Sequence, residues 1–241
     1  MGGKAHGLWL ALRRGLPVPP GFVLVDGAHT VGPSDLAALF ASRFAVRSSA
    51  TFEDRPGAGA AGLLRTLLDV EAGDIERAVG ACRASAEADH VSAYLRHRGL
   101  ERESLAVAVI VQAMVAPGRR GVLASRDPGG TGLARIEEEA EGGPRVTLLS
   151  REALREPLRS ALALEADLGG PIEIEWAEFE GTTFVLQARP APPIVAADPF
   201  PIDFRGADDR ARRWRWDREH NPDPLSPAQE GLVHRVDRAT P

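Results

Sequence analysis

Glu173 and Glu175 stand two positions apart, and so do Gln187 and Arg189. A strand repeats every two residues, so each pair shares a face wherever its segment is extended. A three-residue loop at Glu180-Gly181-Thr182 sets Glu175 opposite Gln187 and Glu173 opposite Arg189. Directly opposed residues project from the same face. Two carboxylates, an amide oxygen and a guanidinium then form one polar cluster, while Ile174, Trp176, Leu186 and Ala188 turn to the core. Such oxygens suit Mg²⁺, which takes one or two carboxylates together with substrate phosphates, and Arg189 suits a phosphate fork. An exposed sheet face with a cross-strand ion pair fits the same pattern.

A second group is Val46-Arg47-Ser48-Ser49-Ala50-Thr51, an arginine at a strand end with hydroxyls behind it and a Gly-rich loop ahead. Side chains and backbone N–H groups so placed can hold phosphate, and hydroxyl runs after strands also make ordinary turns. The third is Gly2-Gly3-Lys4 at a helix start, where glycines permit close backbone approach and the lysine offers a mobile cation. Lys4 is the only lysine among 29 basic residues. The rest are arginine, as a G/C-rich coding bias would leave them. The surviving lysine is either a point charge that arginine cannot replace or an accident of position.

The elements that must carry these residues alternate along the chain. Leu8, Leu12 and Leu16 mark a helix that starts near Gly3 and ends at Gly15. Pro17 to Gly21 forces an extended path into a strand over Phe22–Val25, and Ser34 is placed to cap a short helix. A strand over 44–47 runs into the hydroxyls; residues 52–62 read as a mobile loop, and Leu64–Val70 as a strand. Asp74 is placed to cap a helix bearing Cys82, read as a small buried residue, and another helix ends near Gly99. Leu105–Val115 is an almost unbroken apolar run, hence a buried strand. Further strands are expected at Gly121–Ser125 and Leu133–Glu137, an amphipathic helix over Ser150–Leu168 ending at Gly169-Gly170, and a hairpin from Ile172–Phe179 and Thr183–Arg189. Past Pro190 the chain is Pro-rich.

Composition narrows the class. The chain has 241 residues, a net charge of −5 and a hydrophobic content of 44%. That fits one large domain or two small ones. A single cysteine excludes an internal disulfide framework, and no apolar run reaches the roughly 20 residues of a membrane span. The cytoplasm is the expected compartment. Arg210–Arg218 with Trp214 and Trp216 could suit nucleic acid, but the acidic balance and the neighbouring Asp208, Asp209, Asp217 and Glu219 favour an arm docking on protein.

Taken in order, these segments resemble a known family. Gly2-Gly3-Lys4-Ala5 through Gly15-Leu16-Pro17-Val18-Pro19-Pro20-Gly21-Phe22, then Val46 to Thr51 with Glu53-Asp54 and Pro56-Gly57-Ala58, are similar to the nucleotide-binding domain of the phosphoenolpyruvate synthase and pyruvate phosphate dikinase family. Cys82 to Ser85, Val109 to Val115, Gly121 to Leu123, Arg126-Asp127-Pro128, Ile174 to Ala177 and Leu186 to Pro190 fit the following blocks, so the resemblance covers roughly 1–190.

The resemblance implies an α+β, two-lobed ATP-grasp domain with mixed or antiparallel sheets, holding ATP and Mg²⁺ between the lobes. It implies an N-terminal lobe over 1–104, a C-terminal lobe over 105–195, and a linker or docking arm over 196–241. Lys4, Arg47, Ser48 and Thr51 would bind ATP phosphates; Gln112, Met114 and Val115 would lie by the adenine; Glu173, Glu175, Gln187 and Arg189 would complete the nucleotide site. Glu175 and Gln187 would hold Mg²⁺, and Arg47 and Arg189 would carry catalysis. Glu173 stands where an Asp is common. The loop Glu53–Gly62 would close over the nucleotide.

The implied activity is donation of phosphate from ATP to a histidine on a separate domain or chain, with no nucleic-acid or membrane partner. Two of this sequence's departures from the family bear most on the reaction. Gly129–Gly170 is short and offers only the acidic run Glu137 to Gly143, and none of His6, His29, His90, His97, His220 or His234 sits in a phosphohistidine-type motif. Two alternatives follow: a nucleotide-sensing or scaffolding module without turnover, or a free-standing kinase or ligase acting on a small molecule.

Overall fold

The computed structural model describes residues 2–25, 31–52, 63–97, 99–100, 106–116 and 118–191. They fall within one compact unit, Met1–Ile194; the expected arm 196–241 and the expected closing loop Glu53–Gly62 lie outside the described residues.

The unit is α+β, built on two antiparallel sheets. The first orders β1 (Gly21–Leu24), β4 (Val107–Ala113), β2 (Arg43–Ala50) and β3 (Thr66–Glu71). The second orders β7 (Arg145–Leu149), β6 (Ala134–Glu138), β5 (Arg119–Ala124), β8 (Ile172–Phe179) and β9 (Thr182–Pro190). Every pairing is antiparallel. β4 belongs to the first sheet, and the apolar run 107–113 is buried because β4 lies between β1 and β2. β7 is a strand that sequence pattern missed.

Helices cover the outer faces. α2 (Pro33–Ala37) and α3 (Ile75–Ser85) close a core of Phe44, Val46, Val109, Val111, Ile75, Val79 and Cys82 against the first sheet. α4 (Asp89–His97) packs Val91 and Leu95 on Phe52 and Leu64. The second sheet buries Leu123, Ile174, Trp176, Val185 and Ala188 against α5 (Leu158–Ala161), α6 (Leu164–Leu168) and α1 (Gly3–Arg13).

The expected stripe of α1 is only partly right. Leu8 and Leu16 are buried, but Leu12 is 57% exposed. The helix meets both sheets: Ala5 and Leu8 pack on Ile110, while Leu10 and Ala11 join the second core. Its small residues permit this, since a Cβ on Gly7 would lie 1.9 Å from the Ala188 carbonyl oxygen.

Two helix expectations change for local reasons. Pro33 takes the first position of α2, so Gly32 is the cap, and its N–H donates to Asp35 at 2.9 Å. Ser150–Leu168 is not one helix. Pro157 lacks an N–H and disfavours helical backbone before it, so a short 3₁₀ turn at Arg151–Ala153 gives way to α5 and α6. The last turn ends as expected at Gly169, with φ 81°.

Candidate functional site

The hairpin β8–β9 holds the expected pairs, Glu175 opposite Gln187 and Glu173 opposite Arg189. It reaches them by a different path. The turn has two residues, Glu180 and Gly181, at φ 48° and 76°, and Phe179 pairs with Thr182. A bulge between Glu175 and Trp176 then absorbs Leu186, which restores the register. Ile174, Trp176 and Ala188 are in the core as expected. Leu186 is not: the bulge leaves it half-buried on the wall of a cavity.

That cavity lies between the two sheets and measures about 540 Å³. Small-molecule sites run from roughly 300 to 1,000 Å³. The first sheet supplies Ala45, Arg47, Thr66, Leu68, Gln112 and Ala113, continuing into Met114 and Val115. The second supplies Arg120, Val122, Glu137, Glu175 and Trp176, among others. Arg47, Gln112, Met114, Val115 and Glu175 therefore meet at one cavity, although their segments are far apart in sequence.

Arg47 ties the two sheets together. It is 9% exposed. Its Nη2 donates to Glu175 Oε2 at 3.0 Å and to Gln187 Oε1 at 2.5 Å, and its Nη1 donates to the Leu186 carbonyl at 2.8 Å. Arg189 donates to Glu173 Oε2 through Nε at 3.0 Å and Nη2 at 2.6 Å. Glu173, Gln187 and Arg189 are not in the cavity lining, and Gln187 meets the site through Arg47.

Alternation along β2 separates its neighbours. Val46 enters the α3 core and Arg47 the cavity. Ser48 turns back to α3, its hydroxyl within reach of the Arg65 and Cys82 carbonyls at 3.0 and 3.1 Å. The Ser48 side chain thus points away from the cavity, because period-2 alternation puts neighbours on opposite faces. Ser49, not singled out by pattern, accepts the Ala5 N–H at 3.0 Å and so caps the first turn of α1. The preceding Gly2 has no side chain to do this, and a Cβ there would lie 2.1 Å from the Ser49 carbonyl oxygen. Thr51 is exposed and Lys4 half-buried; neither is in the cavity lining. Gln112 is buried and borders the cavity, its side-chain amide donating to the Pro19 carbonyl at 3.1 Å. Burial pushes the Cys82 thiol up, consistent with a packing role.

Sequence reading missed Arg120, Glu137 and Glu139 on the cavity wall. The signal for them lies in the alternation of the acidic run, which sends 137 and 139 to one face. Arg120 Nε donates to Glu139 at 2.6 Å.

The donors fit a hard cation. Glu175 Oε2 and Gln187 Oε1 already converge on one positively charged nitrogen. No cluster of three or more His, Cys, Asp or Glu side chains able to hold a metal occurs among the described residues. Mg²⁺ takes few ligands from protein and the rest from phosphates and water, so this oxygen pair is compatible with it. No helix among the described residues is long and apolar enough to cross a membrane.

Residues 33–142 match the family model described as pyruvate phosphate dikinase, AMP/ATP-binding domain. Similar curated proteins include rifampicin phosphotransferase of Streptomyces sp., 28% identical over 69% of this chain and 25% of the relative. Another is rifampicin phosphotransferase of Bacillus subtilis strain 168, 28% identical over 66% and 24%. Phosphoenolpyruvate synthase of Neisseria meningitidis serogroup B is 26% identical over 61% and 27%. The chain thus spans about a quarter of the length of the curated relatives it matches. Among solved structures, D-alanine–D-alanine ligase from Bacillus anthracis complexed with ATP matches with a TM-score of 0.46 at 14% identity, over 77% of this chain and 52% of that one. Through residues 33–142 the chain is thus similar to the AMP/ATP-binding domain of pyruvate phosphate dikinase, and the relatives it matches are rifampicin phosphotransferases and a phosphoenolpyruvate synthase.

Proposed function

We propose that this chain is the MgATP-binding module of a phosphoenolpyruvate synthase-like phosphotransferase, donating phosphate from ATP to a histidine on a separate domain or chain. One observation carries the reading: Arg47 of the first sheet converges with Glu175 and Gln187 of the second at the edge of a 540 Å³ cavity. Phosphoryl transfer asks chiefly for positioning and charge stabilisation, which such a convergence supplies. Met114, Val115 and the neighbouring backbone wall the end that would receive the base. Glu175 and Gln187 would hold Mg²⁺, which neutralises phosphate charge when bound. Arg47, and Arg189 braced by Glu173, would face the phosphates. Lys4 would add a point charge from the first turn of α1.

Isothermal titration with MgATP tests this reading. Saturable binding is expected, and absence of heat at millimolar nucleotide overturns it. Incubation with a phosphohistidine-type partner domain then tests transfer, with AMP as the expected product; ADP instead would favour a free-standing kinase or ligase.

A further inference from the structure

Arg47 sits where a cation would sit. A single nitrogen, Nη2, takes both the Glu175 carboxylate and the Gln187 amide oxygen, the two oxygens assigned to metal. The Arg47 Nε–H is buried and has no acceptor. A buried donor left without a partner is costly, so this arrangement is incomplete in the empty protein.

We propose that Arg47 is a surrogate cation. In the nucleotide-free protein its guanidinium closes the Glu175–Gln187 oxygen pair to divalent metal. A nucleotide phosphate draws it away by offering the acceptor that Nε–H lacks, and the pair opens. This rests on reading the cavity as a nucleotide site.

Two arguments support competition. A guanidinium cannot shed its proton at ordinary pH, so metal must displace it; two cations on the same two oxygens would repel strongly at such short range. Room for the displaced group also exists, since Arg47 and Glu175 both border the cavity. The device makes metal loading depend on nucleotide: the empty site refuses the ion, and the occupied site accepts it.

The test uses Mn²⁺ alone, with the free ion counted by electron paramagnetic resonance, on the full chain. Wild type is compared with Arg47→Met and with Arg47→Gln, whose amide keeps a donor in place. Variants that remain folded by circular dichroism should bind Mn²⁺ about tenfold more tightly than wild type, a difference of about 1.4 kcal/mol. Equal or weaker binding overturns the proposal.

A wild-type measurement decides the matter if both variants unfold. Mn²⁺ alone should leave the Arg47 Nε–H resonance sharp, and Mn²⁺ with ATP should broaden it; broadening by Mn²⁺ alone overturns the proposal. The two readings fail separately. If variants gain Mn²⁺ affinity while wild type binds no ATP, the nucleotide reading falls and the guard on the oxygen pair stands. If wild type binds ATP and the variants gain nothing, the guard falls.

Discussion

Single residues here are assigned by the face on which they emerge. Lys4 is half-buried on the first turn of α1, outside the cavity lining. If it serves nucleotide as a point charge, Lys4→Arg should leave the circular dichroism spectrum intact and weaken MgATP binding by calorimetry. Equal binding would make the single lysine an accident of position. Ser49 acts on structure alone: it caps α1 from a strand 44 residues away. Ser49→Ala should cost about 1 kcal/mol. Thermal unfolding should register this as a fall of about 2–4 °C, with no change in nucleotide stoichiometry. The contrast shows what a sequence can disclose. Glu175 and Gln187 were legible as a pair because strand period put them on one side of the hairpin, and Arg47 joined them only through the family resemblance. Ser48 and Ser49 were not separable, since a run of hydroxyls does not say which of its neighbours will be helix, carbonyl or cavity.

Elements were legible in type more than in detail. The hairpin pairs could be written from alternation, yet the turn was one residue shorter than expected and Leu186 made up the difference. A bulge is invisible to a pattern that counts only alternation, because it shifts the pairing on one side and leaves Glu175 opposite Gln187 on the other. The two-residue turn places Glu180 and Gly181 both at positive φ, the geometry of a type I′ turn, which favours Asn at its first position. Glu180→Asn should therefore stabilise the hairpin by about 1 kcal/mol, seen as a higher urea midpoint. An unchanged midpoint would mean that the turn is not strained by Glu180. The lost helix over 150–168 has a plainer cause: its apolar spacing was helical, and Pro157 overrode it.

At the scale of the molecule, ion pairs join elements distant in sequence. Arg14, after α1, grips Asp167 of α6 through Nε and Nη2, both at 2.8 Å, and holds that carboxyl below its ordinary range. Burial pushes Glu165 up, but hydrogen bonds from Arg151 and Ser125 and the charges of Arg151 and Arg126 together outweigh it, and the carboxyl also ends below its usual range. Carboxyls depressed by folding lend stability above their unfolded pKa, about 4, and lose it as pH falls through the lower folded value. Urea midpoints should therefore decline from about pH 4 downward, and Arg14→Met should shallow that decline. An unaltered acid limb would show that the Arg14 pair contributes nothing to it. The contact of α1 with β9 has a consequence for synthesis. The helix is synthesised well before the strand whose backbone approaches Gly7. Until β9 arrives, Leu10 and Ala11 lack the Val185 and Ala188 side of the second core. Docking of α1 on the second sheet must wait for the hairpin, so a nascent chain stopped short of Ala188 cannot complete the fold.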